Sequence, residues 1–215
     1  MNAPAARRKS RSPKITPLRM RGSLDRVLID AAMDLFAAYG YRGTSLSRIA
    51  RAAGVTKGAL YWHFSDKEEF FLAVTKKVLN EWAESFAPLK ATTREEYRKE
   101  FLRVFDTIAE LNEKNPWVSR LLLIITLESH KLGRRVLAMM RKSNLAALQN
   151  FQDMIERGKT LGTLDPELDS SWAALQMFSS YLGLAMFWYL HGDRFRLRQT
   201  LRRQTAQFLS EWSAR

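Results

Sequence analysis

Apolar residues return every third or fourth position along nearly the whole chain, and no stretch alternates apolar with polar residues as a half-buried strand would. The spacing predicts an all-α protein of nine helices with no internal repeat. Leu24, Val27, Leu28, Ala31, Leu35 and Phe36 form one stripe on a first helix over 24–39, with Ser23 as N-cap and Gly40 as its stop. Phe70, Val74, Val78, Trp82 and Phe86 recur every four residues along a fourth helix over 66–86, opened by a capping box, Ser65-x-x-Glu68, and ended by Pro88. A second box, Thr93-x-x-Glu96, opens a fifth helix that carries Tyr97, Phe101, Val104, Phe105 and Ile108 on one face and breaks at Asn115-Pro116. The sixth, over 117–131, is apolar nearly all round at Leu121–Ile125 and is expected to be buried. A seventh over 134–157 gives way to a loop from Gly158 to Asp165. Asp165-Pro166 then reads as N-cap and first residue of an eighth helix reaching Leu190, and a ninth covers 194–213.

Between the first and fourth helices lie two very short ones. Thr44 and Ser45 can cap the first of them, and Leu46, Ile49, Ala50 and Ala53 give it one apolar face. Gly54 permits the left-handed backbone of a sharp turn, Val55 follows as a plug, and Thr56 caps the second. There Leu60 and Phe64 face inward, which leaves Lys57, Gly58, Tyr61, Trp62 and His63 mostly on the other side. A helix this short that exposes an amine, a phenol, an indole and an imidazole beside small residues is poorly designed for stability alone. It suits a helix lying in the major groove of DNA, with Gly58 and Ala59 letting the backbone come close to the duplex.

The stretch resembles the N-terminal DNA-binding domain of the tetracycline-repressor (TetR) family of bacterial transcriptional regulators. The matching residues are Gly40, Tyr41, Thr44, Ile49, Ala50, Ala53, Gly54, Val55, Lys57, Gly58, Leu60, Tyr61, His63, Phe64 and Lys67, within a match over 24–74. The resemblance implies two domains: a helix-turn-helix unit over 23–87 that includes the start of a linking fourth helix, and a helical effector-binding and dimerisation bundle over 88–215. It implies that Tyr61, His63 and Lys67 meet phosphates and that Trp62 stands at the groove wall. Lys57 is the expected base reader, since a lysine can donate to guanine O6 and N7. Thr44, Ser45, Ser47, Arg48 and Thr56 complete the expected DNA face. Phosphate contacts position a helix and base contacts specify sequence, so a single lysine calls for help from Arg48 or from the N-terminus.

Charge supports a polyanionic partner. The 215 residues carry a formal net charge of +13, and 35 Lys and Arg face 22 Asp and Glu. Seven of the positive residues lie in 1–22, beside Pro4, Pro13 and Pro17 and with no acid, which reads as a disordered basic arm. The arm can follow the phosphate backbone or enter a minor groove, or it can be a passive tail. The rest of the chain keeps an excess of six, and neutralising phosphates releases counterions. There is no cysteine, so thiolate metal sites and disulfides are unavailable, and three widely spaced histidines make a poor zinc site. The N-terminus has no apolar signal-peptide core, and the longest dense apolar run, Tyr181–Leu190, is too short to span a bilayer. No nucleophile–base spacing suggests an enzyme, and no cofactor is expected. Gly158-Lys159-Thr160 looks like the end of a phosphate-binding loop, but Asp153 stands where that pattern needs a glycine.

One recognition helix reads too few base pairs to select a genomic site, so a homodimer on a near-palindromic operator is expected. The eighth helix is apolar on more than one face, and Ser179, Ser180, Gly183 and Ala185 permit close helix approach. The resemblance implies an interface built from the last two helices of both chains, with Leu182, Met186, Leu201, Phe208 and Trp212 as candidates. Aromatic and Met residues are dense in the fifth to eighth helices, where the family commonly holds an apolar effector. The candidate lining is Phe101, Phe105, Trp117, Leu121, Met140, Asn144, Phe151, Gln176 and Tyr181, with His130 a further polar candidate. The resulting expectation is a cytoplasmic, ligand-responsive, homodimeric repressor that leaves its operator when a small apolar ligand binds, with no role at a membrane. The alternative is an effector-independent DNA-binding adaptor whose C-terminal domain docks a protein partner.

Overall fold

The computed structural model describes residues 26–84, 89–128 and 132–214. The basic arm, Phe86, Pro88 and His130 lie outside them. Nine α-helices and a 3₁₀ turn follow in order: α1 Arg26–Gly43, α2 Leu46–Ala52, α3 Lys57–His63, α4 Lys67–Glu84, α5 Arg94–Lys114, α6 Trp117–Glu128, α7 Arg134–Thr160, α8 Ser170–His191, the turn Gly192–Arg194, and α9 Leu197–Glu211. The fold is all-α, with ten helical elements among the described residues where nine were expected. The tenth is the 3₁₀ turn, in what reads as a plain break around Gly192.

Most elements stand where the pattern put them, and the departures have local causes. On α1 the buried side is Leu28, Ile29, Ala32, Met33 and Phe36, while Val27 is exposed. The helix packs against both α2 and α6, so its buried face is wider and turned from the expected stripe. Gly40 leaves the helical region at φ 66° and redirects the chain. The cap of α4 sits one residue later than predicted. Asp66 Oδ1 accepts from the Glu69 N–H at 2.8 Å, and Glu69 reaches back to the N–H and hydroxyl of Ser65. At α5 the predicted box forms as read: Thr93 Oγ1 accepts from the Glu96 N–H and Glu96 accepts from the Thr93 N–H, both at 3.2 Å.

Helix α7 continues through Gly158, which was expected to begin a loop. A Cβ there would stand 2.5 Å from the Tyr97 hydroxyl, so this glycine serves close packing inside a helix. Asp165-Pro166 forms a turn, and α8 begins later, where Asp169 accepts from the N–H groups of Ser171 and Trp172 at 2.9 and 3.0 Å. Lys159 donates to the Leu168 carbonyl at 2.9 Å and to Ser170, so Gly158-Lys159-Thr160 is a helix end and no phosphate loop.

The C-terminal core is a chain of aromatic contacts. Rings of Tyr97, Phe101 and Phe105 on α5 follow one another, Phe105 stacks on Phe151 of α7 at 5.7 Å, and Phe151 meets Phe178 of α8 at 6.1 Å. Phe178 in turn touches Trp82 on α4 at 5.9 Å. Aromatic pairs at these separations add attraction beyond the area they bury. Burial pushes the Tyr97 phenol pKa well above its ordinary value, and its hydroxyl donates to the Met154 carbonyl at 3.1 Å.

Beside the packing of α1 on α6 and of Trp82 on Phe178, polar contacts and one close approach join α1 and α4 to the rest. Arg120 on α6 pairs with Asp34 on α1 and donates to the Tyr189 hydroxyl on α8 at 2.6 Å. Arg26 at the start of α1 bonds the Asn115 side chain and the Lys114 carbonyl. Gly133, the N-cap of α7, presses on the Glu68 carboxylate so closely that a Cβ would stand 2.3 Å from it.

Candidate nucleic-acid interface

Three helices and two turns set out the exposed face. Ser45 caps α2 by accepting from the Arg48 N–H at 3.2 Å. Gly54, at φ 69°, allows the sharp turn, and the Val55 N–H closes it on the Ala50 carbonyl at 2.9 Å. Thr56 then caps α3 by accepting from the Ala59 N–H at 3.1 Å. Leu60, 1% exposed, anchors α3 from below, and Phe64 packs edge-on against Phe70 at 5.1 Å. With those two residues inward, Lys57, Gly58, Tyr61 and Trp62 point to solvent. Trp62 is 81% exposed, an unusual position for the largest apolar side chain. Its ring lies edge-on to half-buried His63 at 4.5 Å.

The face is polarised. No acidic residue occurs between Asp34 and Asp66, a span that holds Arg42, Arg48, Arg51 and Lys57. The Lys57 ammonium sits 5.3 Å from the centre of the Tyr61 ring, and the Arg48 guanidinium stacks 3.5 Å from that of Tyr39. Tyr39, half exposed, was not among the sequence candidates. Its signal was its place in the last regular turn of α1, one residue ahead of the Gly40 kink. A Cβ at Gly58 would meet nothing within 4 Å, so the protein's own packing does not call for glycine there.

Two expected members of the face stand differently. Thr44 is 2% exposed, and its hydroxyl donates to the Leu35 and Gly40 carbonyls at 3.0 Å each. It fastens the end of α1 to α2, and its hydroxyl is withdrawn from the surface because the kink at Gly40 turns it inward. Lys67 is half-buried. It donates to the Tyr41 carbonyl at 2.8 Å, with its ammonium 4.3 Å from that ring's centre. Burial, then Glu68 and Asp66, raises the Tyr41 phenol pKa. Ser45, Ser47, Arg48 and Thr56 remain at or near the surface.

In the C-terminal half the candidates divide. Phe101, Phe105, Leu121, Phe151 and Tyr181 are buried in the aromatic core, Gln176 is half-buried on α8, and the Trp117 side chain lies outside the described residues. A cavity of about 90 Å³ opens among α6, α7 and α8 instead. Its walls are Leu122, Met140, Leu182, Ala185 and Met186, with Ser119 and Asn144 as the polar members. Met140 and Asn144 are therefore the expected lining residues that reach it.

Leu182 and Met186, expected at a dimer interface, face this cavity. Leu201 and Trp212 are buried within the single chain, and Phe208 stacks on Trp212 at 4.6 Å. The unpartnered apolar side of α8 is another set, Trp172, Leu175, Phe187 and Leu190, each 47–61% exposed. Ser179 and Gly183 lie between them, and the space beside Gly183 is open. Sequence spacing showed that α8 has two apolar faces but not which one the chain covers itself. A wide cleft of about 770 Å³ beside the last turn of α8 is lined by Glu113, Trp188, Phe195, Arg196, Arg198 and Gln199, among others. No helix among the described residues is long and apolar enough to cross a membrane.

Comparison with known proteins agrees with this geometry. The profile of bacterial regulatory proteins of the tetR family matches residues 28–74, the span from α1 into α4. The HTH-type transcriptional regulator RutR of Escherichia coli is 31% identical over 168 residues, covering 73% of this chain and 74% of RutR. Among solved structures, SmeT, the repressor of the Stenotrophomonas maltophilia multidrug efflux pump SmeDEF, superposes with a TM-score of 0.66 at 19% identity, over 89% of this chain and 91% of SmeT. SmeT has also been solved in complex with triclosan. The TetR family regulator PfmR of Thermus thermophilus superposes with a TM-score of 0.70 at 22% identity, over 86% of this chain and 98% of PfmR.

Proposed function

Since the chain belongs to the TetR family of bacterial transcriptional regulators, which bind DNA through a helix-turn-helix and are not enzymes, we propose that it is a homodimeric repressor released from a near-palindromic operator by a small apolar ligand. The observation that carries the reading is the outer face of α3. Lys57, Gly58, Tyr61 and Trp62 stand exposed on a helix anchored from below by Leu60 and Phe64. In the major groove Lys57 reads a base edge, Tyr61 and His63 position the helix on phosphates, and Trp62 rests on the groove wall. Arg48, oriented by Tyr39, reaches the backbone or a flanking base. Lys67 contributes positive charge at the start of α4, and the basic arm adds more. A chain that works on bacterial chromosomal DNA works in the cytoplasm.

Two copies, joined through the exposed side of α8, set their α3 helices about one DNA turn apart, roughly 34 Å. Ligand in the C-terminal domain favours a state with a different separation. It releases DNA only to the extent that it binds that state more tightly. The triclosan complex of SmeT supports a ligand at this fold. The adaptor reading requires an exposed apolar patch away from α8. Beyond α8, the large exposed hydrophobic residue of the C-terminal half, among those described, is Leu145, which stands alone.

The test is a titration of labelled duplex by the full chain at stepped salt, repeated with a panel of small apolar molecules. The expected result is an affinity that falls steeply and log-linearly with salt, and that falls again with at least one ligand. Indifference to duplex at low salt contradicts DNA binding. Unchanged affinity across the panel contradicts ligand release.

A further inference from the structure

Helix α7 carries a concentration of positive charge. Residues 129–152 hold Lys131, Arg134, Arg135, Arg141 and Lys142 and no acid. Beyond the basic arm the whole chain has an excess of only six positive charges, and this one stretch carries five. Val136, Met140 and Ala147 lie on the buried side of the helix. At roughly 100° per residue, Arg134 and Arg141 fall on one edge of the opposite side and Arg135 and Lys142 on the other, with Ala138 and Leu145 between. All four cations are exposed, and none makes a hydrogen bond or ion pair among the described residues. The arginines of α9 stand differently. There α5 supplies acids, with Arg198 3.6 Å from Glu110 and Glu113 and Arg202 3.4 Å from Asp106.

The start of α7 lies against the start of α4. Gly133, the N-cap of α7, presses on the Glu68 carboxylate. The Ser65 hydroxyl, then its N–H, and at longer range Arg135 hold the Glu69 carboxyl pKa below its ordinary value. Helix α3 ends at His63 and α4 begins at Lys67. The first turn of α7 therefore adjoins the turn that follows α3. From there the basic face runs on for about 12 Å, eight residues at ~1.5 Å each. Its buried side packs on α4 and α8, so the outer face stays open when the exposed side of α8 meets a second copy.

We propose that the outer face of α7 is a second DNA-contacting surface, which holds phosphates of the duplex flanking the operator, outside the base pairs that α3 reads. Charge selects the occupant, since four cations with no ion pair to break are each ready to take a phosphate. Continuity with the α3–α4 turn places that occupant on the same duplex. Asp66, Glu68 and Glu69 stand between the two basic surfaces and repel phosphate. The contact is thus divided, one part at α3 and one at α7, on each half of the site. Contacts at α7 carry no sequence information. They add affinity, and each adds about 0.9 to the slope of log affinity against log salt.

The proposal rests on the reading of α3 as the helix that enters the operator, and its test separates the two. A site selected from a random pool is placed in a duplex of about 20 bp that ends with the half-sites, and in one extended by roughly one turn at each end. Both are titrated at stepped salt with the full chain and with a triple variant, Arg134→Ala, Arg141→Ala and Lys142→Ala. Arg135 is kept because it offsets Glu69. The wild type is expected to bind the longer duplex more tightly and with a steeper salt slope. The variant is expected to bind both lengths as the wild type binds the short one, and to melt at the wild-type temperature. Equal affinity and slope of the wild type on the two lengths overturns the α7 surface and leaves operator binding standing. So does a variant that loses as much on the short duplex as on the long. A length preference that the variant keeps in full places the flanking contact elsewhere and overturns it too. A wild type that binds neither duplex at low salt overturns the reading of α3, and this inference with it.

Discussion

Gly58 occupies a seven-residue helix in which the protein has no use for a missing side chain, because a Cβ there meets nothing. Glycine inside a helix costs roughly 0.5–1 kcal/mol relative to alanine. Gly58→Ala is therefore expected to raise the melting temperature and at the same time weaken duplex binding, since the backbone then stands off from the groove. A variant that gains stability and keeps full affinity contradicts close approach at this position. For Lys57→Ala the expected loss is about 1–3 kcal/mol of discrimination at one base position, read as relaxed preference in competition assays. Tyr61→Ala should instead weaken binding to all duplexes alike. The exposure of these residues was legible because Leu60 and Phe64, four apart, fix which side of α3 faces out. Thr44 was not legible. Spacing cannot tell which of two adjacent hydroxyls caps a helix, and here the kink at Gly40 gives that place to Ser45.

Element boundaries followed the same logic of competing caps. The sequence around α4 offers Ser65 and Asp66 as caps and Glu68 and Glu69 as their partners. The chain uses Asp66 with Glu69, leaving Glu68 against the tight approach at Gly133. Before α8, Asp165 and Asp169 are both plausible caps, and the second starts the helix because the backbone near the first is tied to the C-terminus. There the Asp165 N–H donates to the Trp212 carbonyl at 2.9 Å. Neither outcome depends on local sequence alone, which is why the pattern placed the helices and missed their ends.

Before α5 the sequence offers Thr92 with Glu95 as well as Thr93 with Glu96, and the chain uses the second pair. The Thr92 N–H, then the Thr92 hydroxyl and the Thr93 N–H, hold the Glu96 carboxyl pKa below its ordinary value. A pKa lowered in the folded state means that the carboxylate stabilises the fold above its unfolded pKa, and that this is lost as pH falls through the folded one. Glu96→Ala is thus expected to melt lower than wild type at neutral pH, with the gap closing as the pH drops below the usual carboxylate range. A gap that stays constant into acid contradicts a charged cap.

At the scale of the molecule, α8 divides its apolar surface between its own core and an exposed stripe, which the proposed dimer would cover. The stripe of Trp172, Leu175, Phe187 and Leu190, with small residues between, is the kind of contiguous exposed apolar surface that marks an interaction site. Phe187→Asp is expected to convert a dimer to monomers in sedimentation velocity and, with it, to cut operator affinity steeply, because one α3 cannot hold a site alone. A dimer that persists places the interface elsewhere. The all-α architecture and the DNA-binding unit were legible from periodicity and a dense motif. The division of α8 was not, since it depends on which helices come to lie against it.

The central claim, that the outer side of α3 is shaped for a duplex, is tested most directly by selecting bound sequences from a random duplex pool with the purified chain. The account predicts enrichment of a near-palindrome whose half-sites lie about one turn apart, and the same selection with Lys57→Ala loses preference at one symmetric pair of positions. A pool that shows no enrichment, or an enriched site that Lys57→Ala leaves unchanged, contradicts it.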